Sequence, residues 1–492
     1  MNNYIIFLLL ICLGNIYCAT NFVWNGSSSP SSPYTSWMTA AHSIQDAVNV
    51  ASAGDVVLVT NGIYSGLGYE EERIGESVFA NNKSIVIKSV NGWDGTIIDG
   101  ENTRRCIFST NGVIYGFTLR NGLGGGPTAW YYGSFRRFRF GGGALVKETC
   151  VMSNCFIYNC SGENYGGGVC VNGGGLVFDC LISNCTAWAG GGACVYDSGI
   201  VTNCIIVDCE VRDGAYIDSD EAPRGGGISL EQGGQVADCF VARNLAKEEG
   251  GGIAILETGR VERCVITGNY SSNLAGGLYF INGVDAFAEN CYITNNEALW
   301  TGGGVRFYNA GVLRNSLVAD NYCNSEGGGI YTRMQNAAYN GGNVESCTIA
   351  SNSVNSGQTG GGIFFNGRGA ITNCIIYYNF PDNLANTSQG QLGYCCTTPL
   401  VTGAGNISSA PNFTNGYELA LGSPCINGGM NEAWMTAAKD LDGNPRIIGG
   451  VVDMGCYEGI PEPCIYLSFI IYQLLFINYR KKINSDSAST SE

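Results

Sequence analysis

The chain has 492 residues, of which 73 are Gly and only 13% are charged. Lys and Arg total 25 against 41 Asp and Glu, and the net charge of −16 argues against a nucleic-acid partner, because phosphate backbones are held by clustered cations. With His42 as the one His and no Cys-x-x-Cys with a partner His, the sequence argues against a zinc site, and neither metal nor cofactor is expected.

Residues 4–13 are continuously apolar and run on to Cys18-Ala19, which reads as a secretory signal peptide over residues 1–19, although Met1-Asn2-Asn3 lacks the usual cation. An amphipathic helix is predicted over Ser43-Ile44-Gln45-Asp46-Ala47-Val48, followed by the apolar runs Val56-Val57-Leu58-Val59 and Gly62-Ile63-Tyr64. A helix laid over a first coil hides the open edge of a sheet, so residues 20–110 are taken as an N-terminal cap with the first coils.

Residues 111–412 repeat. Glycine triplets begin at Gly141, Gly166, Gly190, Gly225, Gly250, Ala275 (Ala in the first place), Gly302, Gly327 and Gly360. Each is followed by an in-out-in run such as Ile253-Ala254-Ile255 and then by a pair such as Asn154-Cys155, Asp179-Cys180 or Asp238-Cys239. Members of that Cys column lie 25, 24, 35, 25, 27, 25, 31 and 27 residues apart. A period near 25 with alternation of two and no 3.6-residue pattern predicts an all-β solenoid: a right-handed single-stranded parallel β-helix with three short strands per coil. At about 4.8 Å per coil the repeats make a rod of about 40 Å.

Two inward columns support the stacking. The 23 Cys mostly follow the coil period, as small inward hydrophobes; in-register neighbours on adjacent coils sit too far apart for a relaxed disulfide. Five residues beyond each stand Cys160, Cys185 and Cys209, then Asn244, Asn269, Asn296, Asn321, Asn352 and Asn379, with Asn121 placed upstream in the same column. Stacked Asn amides satisfy one another from coil to coil.

The residue between the two inward positions after each triplet points outward. Coils six to nine thereby place Tyr279, Arg306, Tyr308, Tyr331, Arg333 and Phe364 on one face, where aromatic rings suit sugar stacking and Arg suits uronate or sulfate. A purely structural outward ladder is the competing reading. An insertion over residues 130–140, with Trp130, Tyr131, Tyr132, Arg136, Arg137 and Arg139, offers an alternative binding loop. A second insertion carries Asp213, Asp218, Asp220 and Glu221, and the two insertions are equally well read as electrostatic partners of each other.

The Ile44–Val48 and Val56–Val59 entry, the coils and Gly116-Phe117-Thr118-Leu119 together resemble bacterial right-handed β-helix proteins of the pectin-lyase-like superfamily. Ser423-Pro424-Cys425, Asp440-Leu441-Asp442-Gly443-Asn444-Pro445-Arg446 and Asp453-Met454-Gly455-Cys456-Tyr457-Glu458 are similar to the C-terminal module of the choice-of-anchor type, here a capping module over residues 413–459. Cys425 and Cys456 stand where Ala is common in that module, so a disulfide between them is one alternative to two free thiols. Asp440, Asp442 and Asn444 have calcium-loop spacing, but Pro445 follows where Gly is wanted, which favours a polar turn. Pro461-Glu462-Pro463, the apolar residues 464–479 and Arg480-Lys481-Lys482 resemble a PEP-CTERM sorting segment over residues 460–482, ahead of a polar tail at 483–492. An ordinary C-terminal anchor is the alternative, since the 16-residue apolar stretch contains Gln473 and Asn478. The resemblance implies export to the cell surface, a membrane contact through this segment and a processing enzyme acting at Pro461–Pro463.

That superfamily includes lyases and hydrolases of acidic polysaccharides, but their Asn-Thr-Asp, Gly-His and Arg-Ile-Lys motifs do not occur in this sequence. The catalytic residues are therefore unassigned. The expectation is a monomeric, surface-anchored β-helix that binds extracellular polysaccharide, with a polysaccharide lyase or glycoside hydrolase as the alternative.

Overall fold

The computed structural model describes residues 18–459, apart from 67, 72–73, 126–127, 132–133, 138–139, 213–221 and 415. One coil shows how the sequence makes the rod. From the triplet at Gly166 the chain runs through strand Val169–Asn172, strand Leu176–Phe178, strand Leu181–Ser183 and the short strand Thr186–Ala187, and arrives at the next triplet, Gly190. Each segment pairs in parallel with its equivalent one coil on, as Val169 with Ala193, Leu176 with Ile200, Leu181 with Ile205 and Thr186 with Glu210. Three sheets result, as expected, but the first receives two strand segments per coil. These fuse into single long strands at Ile253–Glu262 and Leu278–Glu289.

The repeated dipeptides are corner signals. The residue before the Cys column is left-handed in every coil, with φ between 47° and 55° from Asn154 to Asn373. A single left-handed residue turns the chain sharply between two short strands, and Asn and Asp tolerate that conformation best. The following Cys then points inward: Cys155, Cys180, Cys204, Cys239, Cys264 and Cys291 are all 3% exposed or less. All described cysteines are free, and burial pushes the thiols of Cys160, Cys185, Cys209, Cys264 and Cys291 up.

The three triplet positions have different reasons to be Gly. The first takes positive φ, 67° at Gly166 and 64° at Gly190, and Ala275 adopts 56° in the same place. The second and third are backbone-to-backbone contacts: a Cβ on Gly167 would lie 2.2 Å from the Gly191 carbonyl oxygen, and one on Gly168 would lie 2.7 Å from that of Gly192.

The amide ladder runs without a break from Asn244 to Asn379 and continues to Asn383. Each Nδ2 donates to the next Oδ1 at 2.9–3.0 Å, and the same oxygen accepts the backbone N–H of the donating Asn. Asn121 is not a rung. Register places it beside Asn159 on the left-handed corner, where its amide donates to Asp99 and accepts from Asn159, while the inward position belongs to Gly122. The column assignment was one residue out because Asn suits both positions.

At the N-terminal end, helix Ile44–Val50 starts on Ser43, whose Oγ accepts the Asp46 N–H. It buries Ile44, Gln45, Ala47 and Val48, and Lys83 Nζ donates to the carbonyls of Val48, Asn49 and Ala51 at its far end. At the other end, residues 413–459 lie along the flank of the coils as a strap. Asn373 exchanges two hydrogen bonds with the Met430 backbone, Asn315 donates to the Lys439 carbonyl, and the Thr348 hydroxyl accepts the Cys456 N–H.

Inside the strap, Arg446 is fully buried and donates to Glu458 at 2.9 Å and to the carbonyls of Asp453 and Gly455. Of the two alternatives for Cys425 and Cys456, the structure has the free thiols and not the disulfide. Cys425 packs with Ile375, Cys396 and Met454, whereas Cys456 packs in a separate cluster with Leu317, Ala319 and Tyr457. Among the described residues no helix is long and apolar enough to cross a membrane, and the 1–17 and 460–492 segments lie outside the described residues.

Candidate functional site

The aromatic–Arg column is in register as the alternation requires: Tyr279 pairs with Arg306, Arg306 with Tyr331, and Tyr331 with Phe364. The side chains form one stack. The Arg306 guanidinium lies 5.5 Å from the Tyr279 ring and 4.9 Å from the Tyr331 ring, and Tyr331 stacks on Phe364 at 5.6 Å with 5° between the planes. Beside it, Arg333 lies over Tyr308 at 5.6 Å, and Asn366 donates to the Tyr331 hydroxyl at 2.5 Å.

The column is not the open surface that alternation alone suggested. Tyr279 and Arg306 are 2% exposed and Tyr331 is 5% exposed. The chain entering each coil passes close over the outward side chain: a Cβ on Gly302 would come within 2.9 Å of the Arg306 Cβ, and one on Gly327 within 2.8 Å of the Tyr331 Cβ. Thr301, on that entering segment, takes a hydrogen bond from Arg306 Nη1 at 2.6 Å. The far end opens to solvent, where Tyr308 and Phe364 are half-buried and Arg333 and Asn366 are exposed.

In earlier coils the same column holds mostly small residues, and a buried ion pair lies beside it. Cys170, Cys194, Ser229 and Ala254 are fully buried, and Arg224 Nε meets Glu231 at 3.0 Å with the Trp188 ring 5.2 Å from its guanidinium. Glu249 is half-buried; burial pushes its carboxyl up, against the pull of Arg224 and Arg306.

The alternative binding loop is an antiparallel hairpin, Thr128–Tyr131 with Ser134–Arg137, in which Trp130 faces Phe135, Tyr131 faces Ser134 and Ala129 faces Arg136. Tyr132 and Arg139 lie outside the described residues, as do Asp213, Asp218, Asp220 and Glu221 of the second insertion.

A feature that no sequence pattern marked is a cleft of about 470 Å³ between the strap turn Lys439–Gly443 and the flank residues Asp238, Arg263, Val265, Asn290 and Tyr292. Its two walls are roughly 150–200 residues apart in the chain, so periodicity carries no trace of it. Asp440 is the polar turn expected from its spacing: Oδ1 accepts the N–H of Asp442 and of Asn444, and Oδ2 accepts the N–H of Glu458. Among the described residues no group of three or more His, Cys, Asp or Glu is placed to hold a metal ion.

Stacked parallel sheets, left-handed corners and an inward Asn ladder define the molecule as a right-handed parallel β-helix. A family model described as "Right handed beta helix region" matches residues 134–262. Among solved structures, the crystal structure of pectate lyase Pel9A is similar over 90% of this chain and 98% of that one, at 13% identity and a TM-score of 0.37. No curated protein matches.

Proposed function

We propose that the protein binds acidic polysaccharide without cleaving it, through the open end of the column: Phe364, Arg333, Tyr308 and Asn366. The observation that carries this reading is the contrast along the stack. Arg306, the cation best placed to act on a bound sugar, is sealed between two Tyr rings, whereas Arg333 and the Phe364 edge reach solvent on a rigid base. Rigid aromatic surface with a planar cation beside it is suited to hold a sugar ring and its acid group. Incubation with alginate, pectate, chondroitin sulfate and fucoidan, with retention and chain length followed together, tests it: retention with unchanged length supports binding.

A depolymerase is the second reading, favoured by Glu249, whose carboxyl is pushed up beside Arg224 and Arg306. Perturbed carboxyls of this kind serve as acids or bases in other proteins. New chain ends in the same assay select it.

Export and anchoring belong to the proposal too, on the strength of the apolar residues 4–13 and the Pro-Glu-Pro, apolar and basic order at 461–482. Deleting 461–482 is expected to release the protein into the medium, and retention of the truncated chain in the envelope overturns the anchor.

A further inference from the structure

The strap-side cleft has a wall of Val265, Tyr292 and Leu441 and a rim of charged groups. Most of that rim is already occupied. Arg263 gives Nε and Nη2 to Asp238 at 2.8 and 2.9 Å and Nη1 to Glu262 at 3.0 Å. Both Asp440 oxygens are taken by backbone N–H groups, and Asn290 Oδ1 accepts the Asn315 amide at 2.5 Å. Among the described residues, the lining groups whose charged atoms carry no hydrogen bond or ion pair are the Asp442 carboxylate and the Lys439 ammonium, both on the exposed strap turn.

The surroundings favour a cationic ligand. Burial first, and then Asp440 and Glu418, push the Asp442 carboxyl up to about 6. A carboxylate destabilised by other carboxylates gains most from an incoming positive charge. The Tyr292 ring lines the wall, half-buried, as an aromatic group of the kind that attracts cations, and Val265 and Leu441 give an alkyl chain an apolar bed. A volume of about 470 Å³ lies within the range of small-ligand pockets.

We propose that this cleft binds a compact alkylammonium group, its charge paired with Asp442 and set over Tyr292, its carbon chain along Val265 and Leu441. The site is separate from the column end and does not depend on the polysaccharide reading.

Three probes of equal length test the class: n-pentylamine, pentanoate and n-pentanol, titrated into the full chain by calorimetry or by protein-observed NMR. Saturable binding of pentylamine, with pentanoate inert and pentanol weaker, is the expected result. Asp442→Asn is expected to weaken pentylamine at least about tenfold, the loss of one charge-assisted contact. Lys439→Met is expected to leave its affinity unchanged or improve it. Both side chains stand on an exposed turn, so Lys439→Met should melt with the parent and Asp442→Asn at or above it, which excludes misfolding as the cause. Competition by glucosamine would identify an amino sugar as the natural source, and competition by Nα-acetyl-lysinamide a peptide side chain; either keeps the class. Pentanoate binding that is lost in Lys439→Met, or no saturable binding of pentylamine, overturns the proposal.

Discussion

The Oδ1 oxygen of Asn296 accepts two hydrogen bonds from Asn269, one from its side-chain amide and one from its backbone N–H, both at 3.0 Å. Asn269 in turn offers its own Oδ1 to the amide and backbone of Asn244 at 3.0 Å. Each rung therefore holds the coil on either side of it.

Removing one rung should cost far more than removing a neighbouring thiol. Asn269→Leu leaves the Asn244 backbone N–H and one of its two amide N–H groups without a partner, the other still reaching the Ile206 carbonyl, at about 1–3 kcal/mol for each buried group left unpaired. Cys264 shares the interior, but its thiol only donates back to the carbonyls of Glu262 and Val236, at 3.3 and 3.8 Å. Cys264→Ser or Cys239→Ala should cost about 1 kcal/mol. Melting temperatures of the variants compare the two columns, and equal losses would contradict the ladder's role.

The triplet makes a second contrast. Gly167→Ala drives a methyl into the Gly191 carbonyl at 2.2 Å and should cost about 3 kcal/mol or more, since the next coil cannot move away alone. Ala275→Gly relieves a left-handed Ala but gives up a buried methyl and loosens the unfolded chain, so stability should stay within about 1 kcal/mol of the parent. Chemical denaturation of both variants checks the pair.

Much of this was legible in the chain because every coil restates it. The triplet recurs in nine coils, six of them carry an Asn/Asp-Cys pair, and six Asn and three Cys fill the inward column, all stacked in register. Asn121 was misplaced because an Asn at the corner and an Asn one residue inward look alike in sequence. The direction of Tyr279, Arg306 and Tyr331 was readable from alternation, but their burial was not. It depends on how closely the glycine turn crosses the strand, a backbone property without a side-chain signature. Residues 413–459 read as a capping module in sequence, but their course along the coil flank and the cleft beneath them did not, because those contacts follow no period.

The strap turn should respond to pH. The Asp442 carboxyl is raised to about 6, above its ordinary value of 3.8, by burial and then by Asp440 and Glu418, with Lys439 and Tyr292 also lining the cleft. A raised acid binds its proton more tightly in the folded state, so its unfavourable contribution grows as pH rises through the window between about 4 and 6. Asp442→Asn should therefore be more stable than the parent at about pH 7.5, and the difference should close as pH falls to about 4. Paired denaturation curves across that range check the sign; a gap that widens on acidification would contradict it.

Retention of acidic polysaccharide, uncut, at the open end of the column is the function proposed for this protein. Its most direct measurement is the binding of the full chain and of Arg333→Ala plus Phe364→Ala to immobilised polygalacturonate or alginate, with the polymer's length followed in the same samples. Both substituted side chains reach solvent, so the variant should fold as the parent does. Saturable binding is expected, which weakens with added salt, falls at least about tenfold in the double variant and leaves polymer length unchanged. Binding that survives the double substitution, or polymer that shortens in the presence of the parent protein, would contradict it.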